Sequence, residues 1–178
     1  MFKIRQATEA FARLDQTPEK EIKPLDQALR HLTQRLPDFA AGTREGRADL
    51  YPITAICALR LLHKADSFGL ERAALASLSS WLRNARPMGR RVPVAGGFTV
   101  MSPIEEAIAR VRSGEVFDFS LTLYRNGHRA FNADWHAEDP AGEAVADSIL
   151  GDILPDVTFS IHASRLIGEL LAELEEAH

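Results

Sequence analysis

The sequence contains one cysteine, Cys57, in 178 residues. A disulfide within the chain is therefore excluded, and a thiolate-built metal centre is not expected. Cys57 falls on the apolar face of a helical pattern and reads as a small core residue, with thiol sensing as the sharper alternative. No run approaches the ~18 consecutive apolar residues of a membrane span. The N-terminus also lacks the continuous apolar stretch of a secretory signal, so a cytoplasmic protein is expected. The six histidines, at 31, 63, 128, 136, 162 and 178, never stand at a helical pair spacing. Metal ligation is not expected from them. Phosphate-loop, dinucleotide and nucleophile-elbow motifs are missing, and Gly89-Arg90-Arg91 and Gly96-Gly97 lack the required frames. No paired carboxylates or Ser/His cluster stands out. The expectation is a non-enzyme without a cofactor.

With 46% hydrophobic residues the chain can bury a real core. Its charge is unevenly placed. Residues 1–95 hold 16 Lys/Arg against 10 Asp/Glu, whereas residues 96–178 hold 5 against 15. The first half carries the positive excess that phosphates attract, and the second would be repelled by the same backbone.

The first half centres on Gly42-Thr43-Arg44-Glu45-Gly46-Arg47, a polar tract between two amphipathic segments. Before it, Pro24 to Leu36 reads as a helix with Leu25, Ala28, Leu29, Leu32 and Leu36 on one face. Its other face presents Gln27, Arg30, His31 and Gln34. After it, Tyr51-Pro52 leads into a second helix from Ile53 to about Lys64. A polar-faced helix, an Arg/Gly-rich loop and another helix make a winged helix-turn-helix, which reads base edges with the helix and holds phosphates with the loop.

Around this unit, Phe2 and Ile4 suggest a short extended start, and Ala7, Ala10, Phe11 and Leu14 a first helix. Thr17 to Pro24 reads as a loop, with Pro24 opening the next helix, and Leu36-Pro37 should close it. Ala74, Leu78, Trp81 and Leu82 form a further helical stripe. Arg83 to Gly97, rich in Arg, Pro and Gly, reads as a linker, with a short strand permitted at Val92 and Val94. Its arginines could trail along a phosphate backbone or simply face solvent.

In the second half Ser102-Pro103-Ile104-Glu105 is a capping box that opens a helix ending at Gly114. Phe117, Phe119, Leu121 and Leu123 alternate with polar residues as a half-buried strand. A two-residue turn at Asn126-Gly127 would set Leu121 opposite Asn132 and mismatch the faces. A three-residue loop, Arg125 to Gly127 with Gly127 left-handed, sets Leu121 opposite Phe131 and Phe117 opposite Trp135, and is the register expected. A break at Asp139 to Gly142, a short helix through Val145, Ile149 and Ile153, a strand at Val157, Phe159 and Ile161, and a C-terminal helix from Leu166 to Leu174 follow.

Several of these residues resemble the DNA-binding unit of MerR-type regulators. They are Ala28-Leu29-Arg30-His31-Leu32, the arginine-bearing loop, Leu50-Tyr51, Leu59-Arg60-Leu61-Leu62 and Ser67-Phe68-Gly69-Leu70-Glu71. The resemblance covers residues 1 to about 82. It implies a winged helix that binds DNA as a dimer, with Arg30 in the second helix and Tyr51 with a wing arginine near phosphates. The sequence departs from the family's pattern in four ways. Asp49 stands where arginine is usual, so Arg44 or Arg47 must replace it. His31 takes the place of a common tyrosine. The connection from Asp15 to Lys23 is long, and no long dimerisation helix follows Leu82.

The expected class is α+β: a mainly helical winged helix-turn-helix over 1–85, a linker over 86–97, and a small α+β domain with an antiparallel sheet over 98–178. The expected function is a sequence-specific transcription regulator on double-stranded DNA, dimeric and nucleoid-associated. Gln27, Arg30, His31 and Gln34 would face the major groove, with Arg44, Arg47 and Tyr51 on phosphates. The acidic half would serve oligomerisation or meet a protein such as RNA polymerase or another regulator. An excisionase-like DNA bender and an adaptor whose winged helix no longer binds DNA are the alternatives.

Overall fold

A computed structural model describes residues 1–36, 43–45, 48–85, 89–136 and 155–176. Helix α1 (Ile4–Leu14) buries Ala7, Ala10 and Phe11, as its spacing requires. Helix α2 (Glu19–Arg35) begins five residues before the proline expected to open it. Pro18 takes the N-cap, and Glu19 and Glu21 oppose the positive end of the helix dipole. Pro24 then lies inside the helix, where it costs one backbone hydrogen bond and is tolerated near the end. The loop expected from Thr17 to Pro24 therefore shrinks to its first residues.

A hairpin of β1 (Thr43–Glu45) and β2 (Ala48–Leu50) follows α2. Helices α3 (Ile53–Ser67) and α4 (Arg72–Arg83) complete the first half. Where a linker was expected, β3 (Arg91–Val94) and β4 (Gly97–Val100) pair antiparallel, with Gly96 at φ +90° in the turn. Val92 and Val94 thus belong to a full hairpin. The ribbon was hard to read because it lacks a buried face: Val94 and Phe98 remain 50% and 72% exposed.

Helix α5 (Pro103–Arg112) starts as expected, with the Ser102 backbone N–H donating to Glu105 Oε2 at 2.8 Å. Strands β5 (Phe119–Tyr124), β6 (Arg129–Ala133) and β7 (Pro155–Ile161) form one antiparallel sheet in the order β6-β5-β7. The register pairs Leu121 with Phe131, and Gly127 has φ +80° in a three-residue loop. Pairing stops at Phe119–Ala133, two residues short of the expected Phe117–Trp135 pair, although those two rings still meet at 4.6 Å. Helix α6 (Ala163–Glu176) buries Leu166, Ile167, Leu170, Leu171 and Leu174. The break expected at Asp139 to Gly142 and the helix through Val145 lie outside the described residues.

The division into 1–85 and 98–178 is not a division of cores. Buried side chains from Ile4 to Leu174 form one contiguous cluster. Trp81 of α4 meets Phe119 edge-on at 5.0 Å and stacks on Phe131 at 5.8 Å. Helix α6 packs on both α1 and α3, and ion pairs Arg13–Glu173 and Glu71–Arg129 bridge the halves. Charge is partitioned along the chain, but apolar surface is not. No helix among the described residues is long and apolar enough to cross a membrane.

Candidate nucleic-acid interface

Helix α2 is buried along Leu25, Leu29 and Leu32, and this fixes its rotation. The opposite face carries Gln27, Arg30, His31 and Gln34, all exposed. Two amides, a guanidinium and an imidazole thus stand together on about two turns of helix, in reach of anything that docks there.

Arg30 is held from within. Its Nε donates to Asp26 Oδ2 at 2.7 Å and its Nη2 to Asp26 Oδ1 at 3.3 Å. Asp26 Oδ1 also accepts from Thr8 Oγ1 at 3.2 Å, which fastens the pair to α1. The hydrogen bond to Asp26 pushes the Arg30 pKa up. Two of five guanidinium N–H groups take part in that pair, and among the described residues the others meet no hydrogen-bond partner.

The hairpin sets Thr43 opposite Leu50, Arg44 opposite Asp49 and Glu45 opposite Ala48. Its exit is tied to the start of the chain: Phe2 and Tyr51 exchange backbone hydrogen bonds, both at 2.8 Å. The expectation that Tyr51 projects from a wing towards phosphates is not met. Its side chain is 6% exposed and belongs to the core, and the bridge to Phe2 pins its backbone there. It lies near Arg30. Arg47 and the side chain of Arg44 fall outside the described residues.

Arg72, at the start of α4, is a residue that periodicity does not single out. With His31 and Arg35 it borders a cleft of about 230 Å³ between α2 and α4, where Asp66 supplies the only carboxylate among the described lining residues. Its one sequence signal is a cation just past a helix start, an unfavourable place for positive charge. Cys57 is fully buried, and burial pushes its thiol up to about 12, so it offers no thiolate at neutral pH.

No protein-family model, curated protein or solved structure matches the chain.

Proposed function

We propose that the chain is a sequence-specific regulator that binds double-stranded DNA through α2 and the β1–β2 hairpin, in the manner of a winged helix-turn-helix. One observation carries the reading: Gln27, Arg30, His31 and Gln34 stand exposed on one face of a helix whose other face is core, with a hairpin directly after it. Such a helix offers the amide and guanidinium donors that read base edges in the major groove. The positive excess of residues 1–95, with Arg35 and Arg72 beside His31, supplies the phosphate attraction. Tyr51 supports the hairpin from inside the core. On this reading the chain works in the nucleoid, as a homodimer on two half-sites, and its acidic second half meets a protein partner.

The test is a titration against a selected duplex and a random duplex at two salt concentrations. Affinity for both should fall with salt, with a slope of about −0.9 per phosphate contact. Arg30→Ala should lose about 1–3 kcal/mol on the selected duplex only, if Arg30 contacts a base edge. An equal loss on both duplexes would assign Arg30 to phosphate. Binding without a salt slope, or no binding, would remove the interface. The surviving reading would then be an adaptor, which the internal Arg30–Asp26 pair favours.

Asp49 gives a second test, because the register places it across from Arg44. Opposite charges at facing positions of a hairpin support one another by about 0.2–1 kcal/mol. Asp49→Ala is expected to weaken duplex binding, because a hairpin arginine loses its support. If repulsion from phosphates dominates instead, the same substitution tightens binding. A double-mutant cycle with Arg44→Ala shows whether the two positions are coupled.

A further inference from the structure

Strand β7 is an edge of its sheet: among the described residues it pairs only with β5. Six consecutive residues, 157–162, line one cleft of about 790 Å³. Successive strand side chains point to opposite faces. A cleft touched by all six therefore follows the backbone edge rather than one face of the sheet. Along that edge lie the N–H and C=O groups not used in pairing with β5.

The far wall is a helix. Arg60 and Lys64 of α3 and Phe68, its C-cap, border the same cleft and stand four residues apart on one stripe. Arg165 and Glu169 of α6 close one side. A strand edge facing a helix across a gap is the geometry in which a peptide adds as a further strand, with backbone hydrogen bonds for affinity and side pockets for specificity. A second copy pairing through the same edge would bring its own β5 and β6 with it, and α3 stands in their way.

The lining selects the chemistry. Asp15 takes both terminal nitrogens of Arg60 and also the Lys64 ammonium. Lys64 remains 35% and Arg165 67% exposed, and among the described lining residues they and Arg60 meet two carboxylates, Asp15 and Glu169. Among the described lining side chains one positive charge is left over. At the mouth, Phe68 and Val157 are 76% and 61% exposed, ready to take apolar side chains. We propose that this cleft binds an extended acidic peptide of a partner protein, about six residues long, in which carboxylates alternate with β-branched residues. The site does not depend on the DNA reading.

The probe is a fluorescein-labelled hexapeptide alternating valine and glutamate, compared with one alternating valine and lysine, added to the full chain and followed by anisotropy. The glutamate peptide should saturate and bind about tenfold or more tighter than the lysine peptide. Arg165→Glu should reduce or reverse that preference with the circular dichroism unchanged, and Phe68→Ser should weaken both peptides. Methylating alternate backbone nitrogens of the glutamate peptide should abolish binding, which plain charge attraction would not show. Equal affinity for the two peptides, or no saturation with either at ~1 mM, would overturn the proposal. So would a concentration-dependent dimer that Val157→Lys dissolves, because the occupant would then be a second copy.

Discussion

Replacing Trp81 by alanine is expected to destabilise the whole chain by about 3–5 kcal/mol, as one cooperative unit. Trp81 is 6% exposed on α4, yet the rings it touches, Phe119 and Phe131, belong to the sheet of the second half. Its removal opens a cavity at the seam between the basic and the acidic stretches, where neither can close over it alone. The remaining tryptophan, Trp135, lies 5.4 Å from Phe119 and reports on the sheet side. Four of the six described helices precede position 85, so helical circular dichroism reports mainly on the other side. Denaturant curves from the two signals should coincide in wild type and variant and shift together. Two separated transitions, or a loss below about 1 kcal/mol, would restore the two-domain picture.

Asp15→Ala should be nearly as damaging, at about 3 kcal/mol, because it leaves a buried cation without its partner. The Arg60 guanidinium is 1% exposed, lies over the Phe11 ring at 4.9 Å, and meets Asp15 at 2.6 and 2.7 Å. Lys64 meets the same carboxylate at 2.8 Å. The double variant Asp15→Ala/Arg60→Met, which removes both charges and keeps the volume, should recover much of the loss. The pair also sets the response to acid. Burial pushes the Asp15 carboxyl up, but hydrogen bonds from Arg60 and Lys64, with their charges, outweigh it and hold it at about 2, against 3.8. A folded pKa below the unfolded one stabilises above the unfolded value. That contribution, on the order of 2 kcal/mol, should therefore drain away between about pH 4 and pH 2. His63 acts earlier. Burial, with help from Lys64 and Arg60, pushes its pKa below 6.5, so the folded state prefers it neutral and stability declines as pH falls through that value. Urea midpoints from neutral pH down to about pH 2.5 should show both declines in wild type and only the first in Asp15→Ala. Equal slopes below pH 4 in the two proteins would exclude the carboxylate as the cause.

Period and turn chemistry made the local elements legible. The β5–β6 register followed from matching faces, since a slip of one residue would have set Leu121 against Asn132. The capping box at Ser102 and the apolar stripes of α1, α3, α4 and α6 were equally plain. The start of α2 was not, because Pro24 satisfies the rule for a first helical residue while Pro18, six residues earlier, satisfies it as a cap. On the candidate interface, the exposed face of α2 was legible because alternation of buried and free positions is a one-dimensional signal. The burial of Tyr51 was not, since it depends on Phe2, a pairing across 49 positions that no local pattern encodes. Arg60 left a clearer trace. A lone cation inside the apolar run from Ala55 to Leu62 requires a buried partner, though the sequence does not say that Asp15 supplies it. The edge cleft on β7 left none, because it is a space between elements.

The packing of α1 against α6 bears on how the chain is made. On a ribosome α1 emerges early, while Ile167, Leu170 and Leu171 of α6, the helix that packs on it, are still to be translated. At roughly 5–20 residues per second the interval is on the order of ten seconds. Through that time the nascent first half, and with it α2, holds an apolar seam open to the cell. A factor that shelters nascent chains would find its docking place there, and it would have to leave as α6 arrives.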